Sequence, residues 1–388
     1  MSSPDLTDAE RQAVFNVLNT PILSMGSQIQ AFEKAFTDFS GFGHAIAVNS
    51  GTAGLHLCVR AAGISQGDVV LTTPFSFVAS TNVLLFENAV PVFVDVDPRS
   101  GNLDPVLLGE AAHDLTAGGE RAQKWLSRKG SASRRALKAI MGVDVFGQSA
   151  DWDPIRKVAK EFGLKVIEDS CEALGAEYKK RKVGTIGDFG VFAFYPNKQI
   201  TTGEGGIIVT NDAQAADLMR ALRNQGRAPG DTWLSHTYLG YNYRLDEMSA
   251  ALGVAQMLRL EVLLQKRAQV AGWYGERLVQ IHGIEPPFIE KFTTRMSWFV
   301  YVVRFNQLID RDALAKQLEA RGVPVRPYFL PIHLQPYMVE RFGYRAGDFP
   351  VTEDLGRRGL ALPFSGVMTE EQVDFVCRSI QVEIGKSK

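Results

Sequence analysis

Cysteine is scarce in this chain: Cys58, Cys171 and Cys377 are scattered over 388 residues, with no CxxC pair. An odd, sparse set excludes a disulfide framework and fits a reducing compartment. Long apolar runs are missing as well; none approaches the ~20 residues that a membrane-spanning helix needs. The polar, acidic start MSSPDLTDAERQAVF has neither the basic opening nor the apolar core of a signal peptide. The expected location is therefore the cytoplasm, with no membrane partner. Charge of one sign is not in excess either: the net charge is −1, so nucleic acid is not an expected partner. The GxGxxG fingerprint of a dinucleotide site is absent, as is HExxH, and the six histidines show no metal-ligand spacing. No metal site is expected. A GKS triplet at 385–387 mimics a phosphate loop, but Ile380 stands where that loop needs glycine.

What remains is ordinary for a large globular protein: 45% hydrophobic and 22% charged residues. The length allows one large core and a smaller second domain. From about residue 44 to 212, short apolar runs alternate with helical patterns. HAIAVN (44–49), VVLTT (69–73), PVFVDV (91–96), AIMGVDVF (139–146) and LKVIED (164–169) read as buried strands. Between the last two, Asp153 is the expected cap of a helix with Pro154 at its first position. Ile155, Val158, Ala159 and Phe162 then share one face, and Gly163 ends the helix. This rhythm predicts an α/β fold: a large domain with a mainly parallel sheet flanked by helices. Residues 107–137 are polar and read as an inserted helical excursion with KGSAS as its loop tip, a solvated surface elaboration in preference to a partner-binding segment. Helical periodicity over 255–281, a strand at 298–305 and helices at 311–322 and 369–380 predict a smaller C-terminal α/β domain. The expected boundaries are 1–255, including an N-terminal arm over 1–25, and 256–388.

Three segments point to chemistry. In VNSGTAGLHL (48–57), a strand meets a helix through Ser50, Gly51 and Thr52; free amides at such a start suit a phosphate, though the same residues are usually only a cap. In VIEDSCEALGA (166–176), Asp169 sits at the end of a buried strand, where a carboxylate is costly unless paired or hydrogen-bonded. In FAFYPNKQITTGEGGIIVT (192–210), Lys198 lies between apolar runs beside a glycine turn. A partly desolvated neutral amine there can form a Schiff base. A phosphate cradle, a buried carboxylate and an amine, each at a strand end, is the set that pyridoxal phosphate requires.

These segments, with GDVVLTTPFSFVASTN, AVPVFVDVD, VFGQSADWDPI and GYNYRLDEMSAALG in this order, resemble the DegT/DnrJ/StrS sugar aminotransferases of the aspartate aminotransferase superfamily (fold type I) over roughly 20–380. The resemblance implies pyridoxal phosphate as cofactor, with Lys198 as the Schiff-base residue and proton carrier and Asp169 as partner of the pyridine nitrogen. It implies that Gly51, Thr52 and Ala53 receive the phosphate and that Phe77 stacks on the ring. Asn242 is expected to reach the cofactor of a neighbouring subunit, so that a homodimer shares its sites, with Arg244 near that interface. It further implies transfer of an amino group from L-glutamate to a nucleotide-linked keto sugar, at C4 if RPYFLPIHLQPY (326–337) resembles the C4-aminating enzymes. Tyr328, Phe329 and His333 are the expected sugar contacts.

Two positions depart from the family's pattern. Ala193 stands where serine often grips the phosphate, and Glu172 where glutamine or histidine is common near the cofactor's phenolic oxygen. Rival readings are a dehydratase or lyase using the same cofactor, or a non-catalytic sugar-binding regulator. Release of 2-oxoglutarate from glutamate separates the first from an aminotransferase. Indifference of function to Lys198→Ala would mark the second.

Overall fold

A computed structural model describes residues 2–130 and 136–386; the tip of the expected loop, 131–133, and Ser387 of the GKS triplet lie outside the described residues. Seven strands form the main sheet: β1 (His44–Val48), β2 (Val69–Thr72), β3 (Val90–Phe93), β4 (Leu137–Val143), β5 (Lys165–Asp169), β6 (Phe189–Ala193) and β7 (Gly206–Thr210), ordered β1-β7-β6-β5-β4-β2-β3. Pairing is parallel from β3 through to β6. Only β7 runs the other way, antiparallel to both β1 and β6. Two reversals restore the direction, so β1, β2, β4, β5 and β6 all end on one edge, where parallel sheets hold ligands. Alternation along the strands covers both faces. Ile140 and Val166 join one core cluster, while Met141 and Ile167 join the cluster on the opposite face.

Four helices matter below: α1 (Gly51–Ala61), α2 (Pro105–Ala117), α3 (Trp152–Phe162) and α4 (Leu260–Leu278). The polar stretch expected to be solvated is in part a core helix. Asp104 caps α2 with Pro105 at its start. Leu108, Ala111, Ala112 and Leu115, at i, i+3, i+4 and i+7, pack on the sheet. It is the crossover between β3 and β4, and only its outer face is polar. The cap of α3 also differs: Asp151 holds that position. Asp153 lies in the first turn and pairs with Lys179 and Arg181. The fourth expected strand stops at Val143, because Asp144 turns inward to accept from Ala150 N, Trp152 Nε1 and Ser170 Oγ.

A second, antiparallel sheet lies in the C-terminal part: β8 (Ile284–Glu285), β9 (Tyr301–Phe305), β10 (Arg326–Pro327) and β11 (Gly359–Leu362), ordered β8-β9-β11-β10. The helix α4 serves both cores. Leu260, Leu263 and Leu264 pack in the large one, and Val270, Ala271, Tyr274 and Leu278 in the small one. No helix among the described residues is long and apolar enough to cross a membrane.

Candidate active site

The shared strand edge opens into a cavity of about 410 Å³ whose wall includes Ser50, Gly51, Thr52, Phe77, Asp169, Glu172, Ala193, Asn197, Lys198, Phe299, Tyr328 and Phe329. Most of the expected site residues thus meet in one place although they are far apart in the chain. The end of β1 delivers Ser50, whose Oγ accepts from Ala53 N at 3.1 Å and caps α1. That hydrogen bond occupies the Ala53 amide, and Ala53 is not on the cavity wall. The amides of Gly51 and Thr52 have no protein acceptor among the described residues and remain for a ligand. Gly51 is required sterically. A Cβ there would lie 2.7 Å from Ala193 Cβ and 2.9 Å from Cys171 Sγ.

Asp169, at the tip of β5, is 5% exposed. Ser80 Oγ donates to its Oδ2 at 2.7 Å, and Cys171 N to its Oδ1 at 3.2 Å. Among the described residues no basic side chain pairs with it. A buried carboxylate with two hydrogen bonds and no cation is a ready partner for a cationic ring nitrogen. Ser80 was missed in the sequence; its signal was the SFVASTN motif, but the contact spans 89 positions.

Lys198 is carried by the loop after β6. Its Nζ lies 3.8 Å from Glu172 Oε1 and 3.7 Å from the centre of the Phe299 ring. Phe146 N donates to Glu172 Oε2 at 2.9 Å. Burial raises the Glu172 carboxyl, while Lys198 and the Phe146 amide pull it back. Phe77 stands at the mouth with 62% of its surface exposed, an aromatic face with little protein against it. Burial, with Glu172 nearby, pushes the Tyr328 phenol up to about 12, so it stays a neutral hydrogen-bond donor.

Besides Ala53, two expected residues do not line this wall: His333, and Asn242, which is expected at a neighbouring subunit's site. His333 is fully buried, its Nε2 2.9 Å from Glu353 Oε1, packed among Tyr344 and Phe349 and outside the cavity wall. Burial lowers its tendency to take a proton. The resemblance placed the histidine at the sugar, but of the three residues expected there only Tyr328 and Phe329 line the cavity. Asn242 is exposed and does not line this chain's own cavity. Its carbonyl accepts from Asn49 Nδ2 at 3.3 Å. Arg244 donates to Asn224 Oδ1 at 2.9 Å.

The residues fit a phosphorylated, cationic aromatic aldehyde: two free amides at a helix start, an unpaired carboxylate, an open aromatic face and an amine. Asn197 Oδ1, on the same wall, is buried without a protein partner.

Comparison with known proteins places the chain among aminotransferases. GDP-perosamine synthase of Caulobacter vibrioides is 38% identical over 98% of this chain and 96% of its own length. A DegT/DnrJ/EryC1/StrS aminotransferase from Brucella abortus superposes with a TM-score of 0.86, at 30% identity over 97% of this chain and 96% of that one. Helicobacter pylori PseC, an aminotransferase of pseudoaminic acid biosynthesis, superposes with a TM-score of 0.87, at 29% identity over 100% and 99%. The architecture is thus the large-and-small-domain fold of these transferases. The model of the DegT/DnrJ/EryC1/StrS aminotransferase family matches residues 4–381, and the chain belongs to that family.

Proposed function

We propose that this sugar aminotransferase uses pyridoxal phosphate to move an amino group from L-glutamate to C4 of a nucleotide-linked keto sugar, the nucleotide being GDP. The observation that carries the reading is the convergence of Lys198, Asp169 and the start of α1 on one cavity. The cofactor, when bound, supplies an aldehyde that condenses with amines, releasing water, and a cationic ring that accepts electron density. Gly51 and Thr52 would hold its phosphate, and Asp169 would keep its ring nitrogen protonated. Phe77 would cover its face.

The chain's own groups do the rest. Lys198 Nζ, once displaced by the amino donor, is the base that lifts the proton from the donor's Cα and delivers it again. Phe299 holds that ammonium over its ring when Nζ is charged. Glu172, with a carboxyl raised by burial, can take up or return a proton 3.8 Å from Nζ. Tyr328 and Phe329 add aromatic surface to the cavity wall. The GDP assignment is supported by the relative named GDP-perosamine synthase. The C4 assignment is supported by the RPYFLPIH segment, whose two aromatic residues reach the cavity although His333 does not.

A homodimer with shared sites and a cytoplasmic location complete the proposal. The exposed Asn242 segment is the part offered to a second copy.

The test is a two-stage assay. Protein, pyridoxal phosphate and L-glutamate should release 2-oxoglutarate, and a GDP-linked 4-keto sugar should then be converted to its 4-amino product. Release of 2-oxoglutarate without amination of any nucleotide sugar in a GDP, UDP and dTDP panel would refute the substrate assignment.

A further inference from the structure

Arg267, on α4, is a buried cation with no carboxylate partner among the described residues. It is 4% exposed, and burial alone pulls its guanidinium down to about 10, so it remains charged at neutral pH. What offsets its desolvation is a ring of four backbone carbonyls. Nη1 donates to Trp298 O at 3.3 Å and Phe299 O at 3.2 Å. Nη2 donates to Asn197 O at 3.1 Å and Lys198 O at 2.5 Å. Two of these carbonyls belong to the loop that carries Lys198, and a third belongs to Phe299, whose ring lies 3.7 Å from Lys198 Nζ.

The place on α4 matters. Arg267 falls between Leu264, packed in the large core, and Val270, packed in the small one. It therefore ties the lysine loop to the segment leading into β9 at the point where the helix passes between the two cores. Gln199 adds a second tie, its Nε2 donating to Glu172 O at 2.6 Å and Ser297 Oγ at 2.8 Å. A planar guanidinium can fork across four acceptors; a lysine ammonium has three donors and no fixed plane.

We propose that Arg267 is a positioning residue: it fixes the backbone at Lys198 and the ring of Phe299 together, and so aims Nζ at the cofactor's reacting carbon. The proposal rests on the assignment of Lys198 as the cofactor-bearing lysine. A misplacement of about 1 Å can cost up to ~100-fold in rate, so a drop of roughly tenfold or more is expected when the clamp is lost.

The experiment uses wild type, Arg267→Met and Arg267→Lys, each loaded with pyridoxal phosphate. Four readouts apply: thermal melting, visible circular dichroism of the bound cofactor, the rate of cofactor capture, and kcat against KM for L-glutamate. A folded Arg267→Met protein should capture cofactor roughly tenfold more slowly or worse, by the same misplacement argument. It should also show an altered dichroic band and lose kcat with little change in KM. Arg267→Lys should recover part of each. A folded Arg267→Met protein matching wild type in capture, dichroism and kcat overturns the proposal. So does failure of both variants to fold, which would make Arg267 a core support only. If wild type itself binds no cofactor at Lys198, it is the underlying assignment that fails.

Discussion

Replacing Glu172 by glutamine keeps the shape of the side chain and an oxygen for the Phe146 amide, but removes the charge 3.8 Å from Lys198 Nζ. At that separation and an effective dielectric constant of about 20, a unit charge pair is worth about 4 kcal/mol, equivalent to about three pH units. The full value is not expected, because burial raises the Glu172 carboxyl and so works against its anionic form. We predict a shift of roughly one to two pH units. The sign follows from charge: an anion beside the protonated nitrogen of the Lys198–cofactor adduct holds that proton. The adduct should therefore lose its proton at lower pH in Glu172→Gln. The assay is a pH titration of the visible absorption band in both holoenzymes. Asp169, Cys171, Tyr195, Glu204 and Tyr328 also line the cavity and are common to both proteins. A midpoint that stays put, or moves up, would refute the placement of Glu172 as a charge neighbour of the reacting nitrogen.

Gly206→Ala should damage the phosphate end of the site. Its Cβ would lie 2.6 Å from Ser50 O and 2.8 Å from Gly51 N, both backbone atoms, so overpacking costs about 1–3 kcal/mol. Melting temperature should fall and cofactor titration should show weaker binding; unchanged affinity would contradict the cradle. Glu10→Gln tests the N-terminal anchor. Burial pushes the Glu10 carboxyl up, but hydrogen bonds from Thr7, Arg259 and Gln256 outweigh it and bring it from 4.5 down to about 2. A depressed value means that the stabilisation is present above pH 4.5 and is lost as pH falls toward about 2. The half-open surroundings of Arg259 limit it to roughly 1–3 kcal/mol. Melting curves of the two proteins should differ at pH 7 and converge in acid; a gap that persists at pH 2 would contradict the assignment.

The residues proposed for catalysis could be picked out because they sit at strand ends inside short, local patterns. Lys198, Asp169 and Gly51 each follow an apolar strand, and parallel topology brings such ends to one edge. What stayed hidden depends on contacts between distant segments. Ser80 gains meaning only through Asp169, and Arg267 only through carbonyls, which carry no side-chain signature. The α2 stripe of Leu108, Ala111, Ala112 and Leu115 was masked by the polar residues around it. His333 shows the opposite case: a histidine in a promising motif is packed among aromatic neighbours, off the cavity wall. Asp153 lost the cap to Asp151 because a two-residue shift in a helix start leaves the apolar face unchanged.

The proposed function turns on a covalent bond at one amine. Purified protein is mixed with pyridoxal phosphate, reduced with borohydride, digested and analysed by mass spectrometry. A phosphopyridoxyl label is expected on the peptide carrying Lys198, absent from Lys198→Ala. No label, or a label confined to other lysines, would contradict it.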